Sequence, residues 1–95
     1  MTQEQIEFIT TITNLHLSTF LELKEKQFDN KWTSECERLF LETRIGVIQI
    51  IENYLLQPVR TFSPPKLTFT PENEPYRVEI ANMTTKIFNT WKQQN

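Results

Sequence analysis

Asp29-Asn30-Lys31-Trp32-Thr33-Ser34 is the stretch on which the fold turns. It gathers the turn-forming residue types Asp, Asn, Thr and Ser into one short run. On either side lie long segments that contain no proline, and one glycine, Gly46, is the sole breaker before Pro58. A break between two breaker-free segments predicts two long helices joined by a tight connection.

Working back from the break, Glu7, Thr11, Asn14, Ser18, Glu22, Glu25 and Asp29 recur at helical spacing as a polar strip. Opposite it fall Phe8, Ile9, Ile12, Leu15, Phe20 and Leu23, with a second apolar edge of Ile6, Leu17, Leu21 and Phe28. Thr2 and Gln5 have capping-box spacing, so the first helix is placed at about 3–28.

Working forward, Ser34 and Glu37 repeat that spacing, with Asn30 as an alternative cap. Lys31, Glu35, Arg38, Glu42, Gln49 and Asn53 form the polar strip of the second helix. One apolar face carries Trp32, Cys36, Leu39, Phe40, Val47, Ile50, Ile51 and Tyr54; another carries Leu41, Ile45, Ile48, Leu55 and Leu56. Arg38 is spaced to pair with Glu35 and Glu42. Pro58 disfavours helical geometry at Gln57, which places this helix at about 31–57.

All five prolines fall at 58–75, and Lys66-Leu67-Thr68-Phe69-Thr70 alternates polar with apolar. That composition predicts a stiff, extended, proline-rich arm at 58–72. Beyond it, Tyr76, Ile80, Met83, Ile87 and Trp91 line one side of a C-terminal helix over about 74–92, with Pro75 in its first turn. The alternative is a short β-hairpin pairing 66–70 with 76–80 before the helix. The single helix is preferred, because its spacing runs through both halves whereas the alternation spans five residues.

The expected fold is therefore mainly all-α, one domain over 1–95: an antiparallel helical hairpin, the arm, and a C-terminal helix. Both long helices are apolar over a wider arc than one neighbour covers, and a chain of 95 residues has little else to wrap them. Self-association as a homodimer, with the hairpins forming a four-helix bundle, is the economical way to bury the excess. Leu41, Ile45, Ile48 and Leu55 are the candidate dimer interface.

Charge narrows the function classes. There are five basic and nine acidic side chains to residue 57, two basic and none acidic from 58 to 70, and three of each thereafter, for a net −2. No block is polybasic, which argues against nucleic acid as the main partner. The alternative would use Arg77, Lys86 and Lys92 on the C-terminal helix, interleaved with Tyr76, Phe88 and Trp91. The most apolar run, Ile45 to Leu56, contains Gln49, Glu52 and Asn53 and is too short for a bilayer, so no membrane role is expected. A single cysteine and the lack of a signal-like start point to the cytoplasm.

Catalytic groups are sparse. His16 is the only histidine and lies on the main apolar face. In an antiparallel hairpin Cys36 stands many residues further along the bundle, beyond the reach a nucleophilic dyad needs. One His and one Cys cannot fill a structural zinc site, and a lone mid-helix glycine provides no phosphate cradle. No catalytic residue, cofactor or metal is expected. The apolar side chains and flanking bases of the arm, namely Arg60, Phe62, Lys66, Leu67 and Phe69, are the candidate contact for an unidentified protein partner. The expected function is a non-enzymatic protein–protein interaction module (an adaptor, assembly factor, regulator or neutralising partner) working as a homodimer.

Overall fold

The computed structural model describes residues 2–56 and 74–95. They form three helices, α1 (Gln3–Gln27), α2 (Ser34–Leu55) and α3 (Glu74–Gln94), and no strand occurs among the described residues. The strand alternative for 76–80 is thereby overturned, since those residues lie inside α3. An uninterrupted helical repeat of apolar side chains there outweighs five residues of alternation. The expected arm at 58–72 lies outside the described residues.

α1 begins as its sequence dictates. Thr2 accepts a hydrogen bond from the Gln5 amide while the Gln5 side chain accepts one from the Thr2 amide, completing the capping box. Glu4 in the first turn and Lys24 and Lys26 in the last complement the helix dipole. Hydroxyl residues are poor helix formers, yet α1 holds several. Thr10, Ser18 and Thr19 each donate to the carbonyl four residues back, which satisfies the hydroxyl within the helix.

α2 starts one residue earlier in its capping than the spacing suggested. Thr33, not Ser34 or Asn30, is the cap, its hydroxyl accepting from the Cys36 amide at 3.1 Å. Glu37 is thereby released from a capping role and turns to tertiary partners described below. The helix is also shorter than 31–57: Trp32 precedes it and packs on the core from the connection. The connection reverses through Asp29 and Asn30, both in the left-handed region at φ 51° and 59°. Asp and Asn are the residues that tolerate that conformation best after glycine.

Ring contacts set the packing. Phe8 near the start of α1 stacks on Tyr54 near the end of α2 at 4.4 Å, whereas Phe20 meets Phe40 at 5.5 Å, so these helices pass in opposite senses. Phe88 and Trp91 of α3 lie 5.2 and 6.0 Å from Phe40, and Trp91 lies 5.5 Å from Phe20. α3 consequently runs parallel to α1 and against α2, and each helix touches the other two. The core consists of Ile9, Leu17, Phe20, Cys36, Phe40, Val47, Ile51, Ile80 and Phe88. Burial of such side chains is worth about 1.5–3 kcal/mol each before the entropy of ordering is subtracted.

Candidate functional site

Two parts of the surface depart from a plain helical bundle: a charged aromatic cluster at the α1–α2 connection, and apolar side chains left outside the core.

At the connection, Trp32 sits against Phe20 and Phe40 at 5.9 and 5.2 Å. Its indole N–H donates to Glu37, and the Glu37 carboxylate accepts from Lys92 Nζ at 2.8 and 2.9 Å. The Lys92 ammonium also stands 5.1 Å from the Trp32 ring centre and 5.7 Å from that of Phe40. These contacts join the last turn of α3 to the first turn of α2. Hydrogen bonds from Lys92 above all, aided by Trp32, hold the Glu37 carboxyl below the usual carboxylate range against the opposing effect of burial.

Lys24 stands 5.8 Å from the centre of the same indole and is buried. Its ammonium donates to Asn30 Oδ1 at 3.0 Å, while its carbonyl accepts from the amides of both Phe28 and Asn30 at 3.1 Å. The cluster is structural in its chemistry. Its cations are engaged by an amide, a carboxylate and aromatic faces, and a shallow recess lined by Trp32, Thr33, Ser34, Glu37 and Lys92 lies beside it.

A second polar group is half-way along the bundle's far end. Glu52 is buried, 3.9 Å from Arg77, which also donates to Glu74 at 3.0 Å. Burial pushes the Glu52 carboxyl above its ordinary range, and Arg77 opposes that shift. Burial likewise raises the Cys36 thiol, which packs as a core side chain. His16 is half-buried and its Nδ1 lies 2.9 Å from the Ile12 carbonyl within its own helix. Among the described residues no group of three or more His, Cys, Asp or Glu side chains is placed to hold a metal ion.

Scanned against protein-family models, curated proteins and solved structures, the chain matches none.

The apolar surface is divided by α3. On one side, Leu41 and Ile45 of α2 are 39 % and 51 % exposed. The other two residues expected at a dimer interface, Ile48 and Leu55, are partly buried against the protomer's own core. On the other side, Leu15 of α1 and Ile50 and Tyr54 of α2 are 60 %, 45 % and 59 % exposed. Leu15, Ile50 and Tyr54 belong to the apolar faces read from hydropathy. They are displaced because the inward strip of α1 runs through Ile9, Thr13, Leu17, Phe20 and Lys24. Two polar residues on that strip, Thr13 and Lys24, carried no hydropathy signal. Arg60, Phe62, Lys66, Leu67 and Phe69 lie outside the described residues. No helix among the described residues is long and apolar enough to cross a membrane.

Proposed function

We propose that this chain is a non-enzymatic protein–protein interaction module that acts as a homodimer. One observation carries the reading: large apolar side chains remain exposed on both sides of α2 even though a third helix already closes the core. Contiguous exposed apolar surface on a small domain marks a contact with another protein. The arm residues Arg60, Phe62, Lys66, Leu67 and Phe69 are assigned to a separate protein partner on their composition, an apolar track that carries two bases.

A role on nucleic acid through α3 has less support. Arg77 faces Glu74 and Glu52, and Lys92 faces Glu37, which neutralises two of its three cations. Phe88 is fully buried and Trp91 packs on the core, so neither ring is offered to a base.

Size-exclusion chromatography with light scattering tests the assembly. The expected mass is twice the 11.4 kDa of one chain. A monomer at every accessible concentration would remove the homodimer. For the arm, a Leu67→Asp, Phe69→Asp double variant is expected to fold and to lose the partners that the parent captures; unchanged capture would remove that assignment.

A further inference from the structure

Gly46 is a helix-interior glycine for which nothing among the described residues supplies a reason. A Cβ placed on it meets no atom within 4 Å, its φ is not positive, and glycine there costs about 1 kcal/mol relative to alanine. Its surroundings supply a reason from outside. Between the Phe8–Tyr54 and Phe20–Phe40 contacts, the antiparallel register brings Leu15 of α1 level with Gly46 of α2. Helical spacing puts both on the side of the α1–α2 pair that faces away from α3. That face therefore carries, side by side at one level, a projecting leucine that is 60 % exposed and a notch without a side chain.

A projection and a notch at one level of a single face are what a two-fold interface needs, since the same surface must supply both parts. We propose that this α1–α2 face binds a second copy of the chain about a two-fold axis parallel to the helices, with Leu15 of each subunit seated at the partner's Gly46. The proposal deepens the homodimer reading and rests on it. The axis lays each α1 on the partner subunit's α2 in opposite senses and leaves both α3 helices on the outside. The result is a four-helix bundle of α1 and α2 from the two chains.

The rest of the face agrees at each level. Phe8 and Ile12, both partly buried, come over the partner's Tyr54 and the partner's Ile50. Toward the connection, Lys26 comes level with the partner's Glu35. Lys26 and Glu35 are both exposed, so this cross-subunit pair joins opposite charges at the rim. The edge formed by Leu41 and Ile45 lacks this correspondence: it borders α3 and presents no notch.

Sedimentation equilibrium or light scattering on the full chain tests the assignment through four variants. Gly46→Leu puts a side chain into the notch at a position where its Cβ meets no atom within 4 Å, so it is expected to keep the helical circular dichroism and to weaken the dimer tenfold or more, on the order expected for a central contact. Lys26→Glu is expected to weaken the dimer less, and adding Glu35→Lys to it to restore the dimer. Ile45→Asp, outside the face, is expected to dimerise as the parent does. If Gly46→Leu stays dimeric while Ile45→Asp becomes monomeric, this face is overturned and the homodimer reading survives on the opposite edge. If the parent itself is monomeric, both fall together.

Discussion

Thr13 of α1 and Thr84 of α3 occupy the same level of the core, both fully buried, and neither hydroxyl has a hydrogen-bond partner. The level follows from the Phe20–Trp91 contact, because the two helices run parallel and both threonines lie the same number of residues before it. An unsatisfied buried hydroxyl costs about 1–3 kcal/mol, whereas a methyl of the same shape costs little. Thr13→Val and Thr84→Val are each expected to raise stability by about 1 kcal/mol, or roughly 4–8 °C in Tm for a domain of this size. Urea unfolding of both single variants and the double checks this. A loss of stability in either would show that the hydroxyl is paired in solution.

Lys24 and Asn30 form the next linked pair. The buried ammonium has the Asn30 amide oxygen as its hydrogen-bond acceptor, and Asn30 holds a left-handed conformation. Asn30→Ala removes the acceptor and strains the backbone together. It is expected to destabilise by about 2–3 kcal/mol, from the combined loss of an ion's partner and a tolerated φ. Asn30→Gly keeps the backbone freedom and should cost less. Asn30→Asp supplies a carboxylate to the same cation and should hold or raise stability at neutral pH. The order Asp, Gly, Ala, read from denaturation midpoints, is the expected outcome; Ala above Gly would contradict it.

Glu37 and Glu52 should give the stability–pH curve two opposing contributions. Glu37 has its folded pKa depressed by Lys92 and Trp32, so its contribution is present above the unfolded carboxylate value of about 4.3 and is lost as pH falls through the folded value. Glu52 has its folded pKa raised by burial, so stability is lost as pH climbs from about 4.3 through the folded value. Glu37→Gln is therefore expected to flatten the acid limb and to cost about 0.5–1 kcal/mol at pH 7, a small figure because the pair is partly exposed. Glu52→Gln is expected to remove the loss that sets in as pH climbs above the unfolded carboxylate value. Thermal melts of both variants from pH 3 to 8 separate the two; parallel curves for parent and Glu52→Gln would show that its carboxyl titrates normally.

The helices were legible because each signal was local. A capping box, a breaker-free run and an apolar repeat at helical spacing are all contained in a few turns, and they located α1, α2 and α3 to within a few residues. What was not legible depended on which neighbour each face would meet. Leu15, Ile50 and Tyr54 carry the hydropathy of core residues, but α3 settles on the opposite side of the α1–α2 pair and leaves them outside. Lys24 and Thr13 belong to neither apolar face read from the sequence and are inside, one because an aromatic ring and an amide receive its cation, the other in a core layer that hydropathy does not mark. The capping spacing at Ser34 and Glu37 misled for a related reason, because Glu37 finds stronger partners in Trp32 and in Lys92 from a distant part of the chain. Of the four residues expected at a dimer surface, Leu41 and Ile45 are the two that are exposed.

Phe40 is where the three helices and the connection meet. Its ring lies within 5.2–6.0 Å of Phe20, Trp32, Phe88 and Trp91, so one side chain touches rings from α1, α3 and the connection. Phe40→Ala is expected to cost about 3–5 kcal/mol, a large part of the stability of a domain this small. Phe40→Leu keeps the aliphatic bulk but loses the ring contacts, and should cost clearly less. Because both tryptophans abut Phe40, their fluorescence should report the loosening of this end directly. The Phe40→Ala spectrum is expected to shift toward that of solvent-exposed indole before far-ultraviolet circular dichroism is lost on heating. Coincident transitions would instead show that the aromatic cluster and the remainder of the bundle unfold as one unit.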